Sequence, residues 1–151
     1  TGTAVTFALW NISNSHNAVL LKLSVGFTSG TIALGQVGLA NQYCGFALGT
    51  AAPLSVFTNG TPKNGLLGLG NASVMRFTPS AATLTAGGTA AMFIGKSIES
   101  ATEGLGVQDI NFDFDGTVIV QPGQMVFLCG SVAQTALFSA SLTWAEIPIG
   151  T

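Results

Sequence analysis

A two-residue alternation of apolar residues with polar residues or glycine runs through residues 21–27 of this chain. On an extended backbone the odd positions, Leu21 to Phe27, fall on one side, and the even positions, Lys22 to Gly26, fall on the other. This pattern is typical of a half-buried β-strand. Residues 5–9 and 110–114 show the same alternation, and no segment sustains a helical period. The sequence therefore predicts strands and almost no helix.

Two turn dipeptides divide the C-terminal part of the chain. Asp115-Gly116 suits the positive φ angles of a tight hairpin, which predicts that Thr117–Gln121 returns antiparallel to Ile110–Phe114. Pro122-Gly123 predicts a second turn. With further strands at Met125–Leu128 and Ala140–Ile149, the end of the chain is predicted to be an antiparallel meander.

The middle of the chain carries loop chemistry. Residues 50–71 are rich in Asn-Gly, Thr-Pro and isolated Gly, and predict a long irregular connection with one short strand at Leu54–Phe57. A connection of this length is usually functional or an intersubunit arm. One helical turn is expected within Ser80–Gly88. Together these patterns predict an all-β fold: an antiparallel, jelly-roll-like β-sandwich in which residues 1–151 form a single domain.

Charged side chains are scarce in this sequence. They make up 7% of the residues, with 4 Lys and Arg and 6 Asp and Glu, against roughly 25% in ordinary soluble domains. Such a surface repels other proteins weakly and favours association. We therefore expect a subunit that is covered by its neighbours, with a neutral extracellular domain as the alternative.

The same composition argues against several partners. Four scattered basic residues cannot neutralise a run of phosphates, so we expect no direct binding of nucleic acid. No apolar run reaches the roughly 18 residues of a membrane helix, so we expect no membrane association. No basic and then apolar leader pattern is visible, so we expect no signal peptide.

The residues capable of catalysis are few. His16 is the single histidine and lies in a polar segment, where we expect a solvated loop side chain. The chain has no Gly-x-Ser-x-Gly motif, and we predict that it is not an enzyme and needs no cofactor. Cys44 and Cys129 are expected to be free buried thiols, because a disulfide would require their strands to be neighbours.

The acidic residues are densest at Asp109, Asp113 and Asp115. On a strand Asp113 and Asp115 share one face, and two carboxylates there could hold a calcium ion with the help of loop carbonyls. They could also act as a general acid and base across a sugar. The favoured interpretation is that Asp113 lies on the polar face of an edge strand while Asp115 supplies the turn.

Two other sets of residues have ordinary explanations. Asn11, Asn59 and Asn71 match the glycosylation sequon, which we interpret as coincidence in an Asn- and Thr-rich chain. Trp10 and Trp144 are expected to anchor the core, although an exposed Trp could stack on a sugar.

With these residues in view, the sequence resembles small virion proteins of tailed bacteriophages, of the capsid decoration (cement) type. Four strings carry the resemblance: Leu20–Phe27 after an Asn-rich turn, Ser29–Ile32, Asp115–Gly123 and Ser141–Pro148. The resemblance covers both ends of the chain and leaves the middle unmatched.

The resemblance implies a structural virion protein on the capsid surface. Such a protein would bind the major capsid protein of an icosahedral shell as a homo-oligomer, most simply a trimer. Within virions the alternatives are a fibre or tail head and the coat protein itself. Outside virions the alternative is a carbohydrate-binding β-sandwich that uses Trp10, Tyr43 or Asp113 at a loop end.

Overall fold

The described part of the chain is built from antiparallel strands. The computed structural model describes residues 4–5, 7–30, 35–49, 53–66, 70, 72–80, 82–98, 110–130 and 137–150. Its strands are β1 (Ala4–Val5), β2 (Ala8–Trp10), β3 (His16–Ser29), β4 (Gly35–Tyr43), β5 (Leu54–Phe57), β6 (Arg76–Thr78), β7 (Ala82–Leu84), β8 (Thr89–Ile98), β9 (Ile110–Val120), β10 (Gln124–Gly130) and β11 (Leu137–Pro148). Every strand pair among them is antiparallel. The prediction of an all-β antiparallel fold is confirmed.

The strands form three sheets. We call them the short-strand sheet, ordered β1-β7-β5, the middle sheet, ordered β6-β2-β10-β4-β8, and the long-strand sheet, ordered β11-β3-β9. The jelly-roll connectivity and the single domain stay predictions. The described residues contain no helix that is long and apolar enough to cross a membrane.

Two hydrophobic cores lie on the two faces of the middle sheet. The first core joins the middle sheet to the long-strand sheet and contains Phe7, Leu9, Ala18, Leu20, Leu23, Val25, Leu39, Met75, Ile110, Phe114, Val120, Val126 and Leu142. The second core joins the middle sheet to the short-strand sheet and contains Val5, Ala8, Trp10, Ala40, Cys44, Leu54, Phe57, Ala82, Leu84, Met125 and Phe127. Successive residues of β2 and β10 thus enter opposite cores.

The alternation predicted for residues 5–9 is only partly right. Phe7 and Leu9 are buried as expected, but Ala8 on the other face is buried too. The expectation that the residues alternating with Phe7 and Leu9 face water fails because both faces of the middle sheet are covered by a hydrophobic core. The segment is also divided, since β1 pairs in the short-strand sheet and β2 in the middle sheet.

Strand β3 keeps its predicted alternation up to one irregularity at Leu21. Leu23 and Val25 are buried in the first core, whereas Leu21 is 39% exposed and Leu20 is fully buried. The register of β3 against both β9 and β11 shifts between Leu20 and Lys22. The extra residue at the bulge puts the residues before it and after it out of phase. The sequence pattern therefore placed Leu23 and Val25 on the buried face correctly but placed Leu21 there wrongly.

The hairpin predicted at Asp115-Gly116 is wrong, although the predicted backbone angles are right. Asp115 has a φ of 49° and Gly116 a φ of 73°. Both lie within the continuous strand β9, where residues 114–117 bulge opposite Leu21 of β3. The Thr117 hydroxyl donates to the Phe114 carbonyl at 2.6 Å across this bulge. Positive φ serves a bulge as well as it serves a turn.

The Pro122-Gly123 turn is confirmed, but its strands do not pair. Gly123 has a φ of 78°, and the amide of Gln124 donates to the Gln121 carbonyl at 3.0 Å. The turn leads from β9 in the long-strand sheet to β10 in the middle sheet. The predicted C-terminal meander is therefore wrong, since β9 and β11 both flank β3 while β10 lies between β2 and β4.

The connection between β5 and β6 matches the predicted loop in part. The short strand at Leu54–Phe57 is confirmed, and residues 58–66 form no strand. Residues 50–52, 67–69 and 71 of the predicted connection lie outside the described residues. The helical turn expected within Ser80–Gly88 is wrong, because Ala82–Leu84 form β7 between β1 and β5.

Candidate functional site

A groove of about 840 Å³ lies where the edge strand β11 of the long-strand sheet faces the edge strand β6 of the middle sheet. Residues from three parts of the chain line it: His16 and Ala140–Trp144 with Glu146 and Pro148 from the long-strand sheet, Thr61–Gly65 from the connection after β5, and Ala72–Val74 with Phe77 at β6. The groove therefore opens at the end of the first core.

Glu146 joins the two walls of this groove. Its Oε1 accepts a short hydrogen bond from the Ser73 hydroxyl and a bond of 3.1 Å from Trp144 Nε1. Its Oε2 accepts the amide of Val74 at 3.1 Å. One carboxylate thus ties β11 to the segment that precedes β6.

These contacts keep Glu146 ionised. Partial burial by itself raises the pKa of this carboxyl, but the hydrogen bonds from Ser73, Val74 and Trp144, with the nearby His16, lower it further than burial raises it. The net direction is downward, because donors that bind the charged form stabilise it. Glu146 therefore carries its negative charge at neutral pH.

Trp144 presents a fixed aromatic surface to the groove. Its ring stacks on Phe77, with centroids 6.2 Å apart and an angle of 28° between the planes. The bond from its Nε1 to Glu146 fixes the remaining rotation of the indole. Trp144 packs against the first core, as expected for an anchor, and is also half-exposed.

His16 is the first residue of β3, where it pairs with Pro148, and is only half-exposed. Its Nδ1 lies 2.9 Å from the Ser15 hydroxyl and 3.5 Å from that of Ser13. The hydroxyl bound to Glu146 belongs to a different serine, Ser73. Among the hydrogen bonds of the described residues, the serines bound to His16 and the serine bound to Glu146 are therefore different residues.

The calcium candidates lie elsewhere, on β9. Asp113 and Asp115 are both exposed, and Asp113 Oδ1 is 4.0 Å from Lys22 Nζ. Asp109 lies outside the described residues. Among the described residues no group of three or more His, Cys, Asp or Glu side chains is arranged to hold a metal ion. The calcium site stays a prediction, and the Lys22 ammonium already supplies a positive charge beside Asp113.

Asn11, in the first sequon, is a structural residue. It is fully buried, and its Nδ2 donates to the carbonyls of His16 and Val120, each at 2.9 Å. Its Oδ1 accepts the amide of Ser13 at 3.0 Å. The side chain is therefore inaccessible to glycosylation. Asn59 accepts the Phe77 amide at 3.3 Å, and Asn71 lies outside the described residues.

The two cysteines are free, as predicted, but only Cys44 is buried as expected, since Cys129 is partly exposed. Strands β4 and β10 are neighbours, but Cys129 lies opposite Gly38, whereas Cys44 follows Tyr43, which lies opposite Gln124. The thiols are therefore at different ends of the strand pair. Burial raises the pKa of Cys44 to about 11 and also raises the pKa of Cys129.

The residues considered for sugar binding from sequence do not form one site. Trp10 is fully buried, donates from Nε1 to the Gly45 carbonyl at 2.9 Å, and lies 5.5 Å under the Arg76 guanidinium. Trp10 is thus a core anchor, as expected. Tyr43 is exposed on β4 and Asp113 on β9, in different sheets.

Sequence reasoning missed the groove itself. Loop composition indicated function in residues 50–71, and Trp144 was recognised as an aromatic anchor. No sequence signal connected this loop or Trp144 with Ser73 and Glu146. These residues meet only because β6 packs beside β11.

Comparison of the chain with protein-family models, with curated proteins and with solved structures finds no match in any of the three.

Proposed function

We propose that this chain is a structural virion protein, a capsid decoration (cement) subunit. It binds the outer surface of an icosahedral shell as a homo-oligomer, most simply a trimer, and its partner there is the major capsid protein. The observation that carries the proposal is an exposed apolar surface on the long-strand sheet, on a protein with very few charges.

This surface, which we call the outer patch, consists of Val19, Leu21, Ile119, Ala145 and Ile147. Ala145 of β11, Val19 of β3 and Ile119 of β9 are cross-strand neighbours in one row. Ile119 is 53% exposed and Ile147 49%. A contiguous exposed apolar patch on a soluble protein marks an interaction surface. The outer patch supports association with another protein.

Polar groups that satisfy one another lie beside the outer patch. Next to the outer patch, Lys22 faces Asp113 with 4.0 Å between Nζ and Oδ1, so the two charges compensate each other. Farther along, the Ser24 hydroxyl donates to Asn111 Oδ1 at 2.7 Å. An apolar area beside satisfied polar groups resembles the core and rim of a protein interface.

A cementing role agrees with this surface in physical terms. Holding neighbouring capsomers together requires contact area and no chemistry. A protein that binds the assembled shell and not its separate subunits stabilises the shell by mass action. The resemblance of the two ends of the chain to phage decoration proteins supports this role over a fibre head or a coat protein.

The test uses Ile119→Lys with Ser139→Lys as its control. Both substitutions add one positive charge to an exposed position of the long-strand sheet, but Ser139 lies outside the outer patch. We expect the wild-type chain to sediment as an oligomer and to pellet with shells assembled from a major capsid protein of the same genome. Ile119→Lys should reduce one or both behaviours at least tenfold, and Ser139→Lys should not. A wild-type monomer at high concentration that leaves shells undecorated contradicts the proposal.

A further inference from the structure

We propose that the groove between β11 and residues 61–65 is a binding site for a neutral saccharide. This inference goes beyond the cementing role, because the outer patch lies on the outer face of the long-strand sheet and the groove opens at the end of the first core. A shell-bound subunit with both surfaces could attach to the particle with one and hold a glycan in the other.

An immobilised aromatic ring forms one wall of the groove. Trp144 lines the groove, and its stacking on Phe77 and its hydrogen bond to Glu146 hold the indole in one orientation. The apolar C–H face of a pyranose ring packs well on a rigid indole. A side chain that is already immobilised loses little conformational entropy when a ligand packs on it.

The polar side chains of the groove suit the hydroxyl groups of a sugar. The uncharged polar side chains of the groove are those of Thr61, Asn64 and Ser73, while Ser141 and Thr143 border it on β11 and alternate with the buried Leu142. Hydroxyl and amide groups both donate and accept hydrogen bonds, as the hydroxyl groups of a sugar do. An apolar wall with a few polar groups around it is the usual composition of a small-ligand site.

The charged side chains in the groove fit a neutral ligand. The ionised Glu146 stands in the groove with Lys63 and His16, so its negative charge is not alone. Three donors already bind the Glu146 carboxylate, and a carboxylate has about four acceptor positions. One position remains for a ligand hydroxyl. With one cationic and one anionic side chain beside a histidine, the groove selects for neither an acidic nor a basic ligand.

The alternative occupant is an extended peptide, added as a strand to the edge of β11. Ser73 and Val74 are hydrogen-bonded to Glu146, so this segment lies against the end of β11. A peptide strand would meet this obstruction after pairing with residues 140–143. A compact polar ligand has no such requirement for length, and the groove therefore favours a saccharide.

Two groups of variants test the site. Trp144→Phe keeps the packing on Phe77 and removes the indole. Gly65→Leu narrows the groove, because a Cβ at Gly65 meets no atom within 4 Å and the new side chain has room to extend. Gly49→Leu is its matched control, since Gly49 also has open space around its Cβ and does not line the groove.

The wild-type chain is first screened on an array of neutral gluco-, galacto-, manno- and N-acetylglucosamine oligosaccharides. The best of these is then titrated while tryptophan fluorescence is recorded, with Trp10, buried in the second core, as an internal reference. We expect a saturable change in fluorescence for the wild type. Titration calorimetry, which does not depend on the indole, should give an affinity at least tenfold weaker in Trp144→Phe and in Gly65→Leu but unchanged in Gly49→Leu.

The proposal is overturned if no neutral saccharide binds. It is equally overturned if binding survives both groove substitutions, or if an array of unstructured peptides binds while the glycan array does not. These readouts are independent of sedimentation and shell binding, so the saccharide site and the cementing role can fail separately.

Discussion

The middle sheet and the long-strand sheet are buried in different ways. In β2 of the middle sheet, Ala8, Leu9 and Trp10 are all fully buried, because each face of the sheet covers a core. In β9 of the long-strand sheet, Ile110 and Phe114 are buried while Asn111 and Asp113 are exposed. The period of two thus appears only where one face of a sheet is exposed to water.

The largest expected effect contrasts the two sheets directly. Trp10→Ala should lower the free energy of unfolding by about 3–5 kcal/mol, because it empties a large buried volume and leaves the Gly45 carbonyl without its indole donor. Asn111→Ala, at an exposed position of the long-strand sheet, should cost less than about 1 kcal/mol. Urea denaturation measures both, and similar costs would break the comparison.

The junction between the two sheets is the next test. Asn11→Ala should lower the free energy of unfolding by about 2–3 kcal/mol, because the buried carbonyl of Val120 and the partly buried carbonyl of His16 lose a donor. Asn59→Ala serves as the control, since Asn59 is exposed and accepts one hydrogen bond. Equal effects on the midpoint of thermal unfolding would show that Asn11 does not hold the sheets together.

The burial pattern of β3 in the long-strand sheet was the part of the fold that the sequence predicted best. Leu23 and Val25 alternate with polar neighbours and are buried as expected. The burial pattern of the middle sheet was harder to predict. Ala8 and Leu9 are both apolar, and the local sequence does not show whether one face of a strand or both faces are covered. The number of layers is set by packing between distant segments, which a local pattern does not contain.

The local backbone conformation could be predicted from residue types, whereas the pairing of strands could not. Asp115 and Gly116 have the positive φ angles that their residue types favour. Whether these angles make a hairpin or a bulge depends on β3, which lies some 90 residues earlier and accepts residues on both sides of the bulge as partners. The groove was missed for the same reason, since Ser73 and Glu146 are far apart in the sequence.

A smaller effect is expected at the turn that leads from the long-strand sheet to the middle sheet. Gly123→Ala should cost about 1–2 kcal/mol, because a side chain at a φ of 78° is strained and its Cβ would lie 2.5 Å from Tyr43 Cε2. Gly65→Ala has neither problem and is the control. If chemical denaturation gives equal stabilities for the two variants, the turn does not constrain the two sheets.

The smallest effect is a pH dependence at the groove, where the long-strand sheet meets β6. The pKa of Glu146 is lowered in the folded chain from its ordinary value of 4.5, so its contribution to stability is present above pH 4.5 and is lost as the pH falls through the folded pKa. Glu146→Gln should cost less than about 1 kcal/mol at pH 7, since the group is partly solvated.

The measurement for this last prediction is the free energy of unfolding of both proteins between pH 3 and pH 7, a range that extends about 1.5 units below and about 2.5 units above the ordinary carboxyl pKa of 4.5. The difference between wild type and Glu146→Gln should shrink as the solution becomes acidic. A constant difference over this range would show that the bonds to Ser73, Val74 and Trp144 do not depend on the charge.

The pairing of β2 with β10 has a consequence for the order of folding. Residues 8–10 find their partners at residues 125–127, and β3 finds one of its partners at residues 137–148. During synthesis the N-terminal segments emerge first. The apolar strand β2 must therefore wait, unpaired on this side, until residues 125–127 have left the ribosome. Contacts between such distant segments form slowly. We expect newly made chains to spend this interval exposed to aggregation, and a chaperone that shields residues 7–10 to increase their yield.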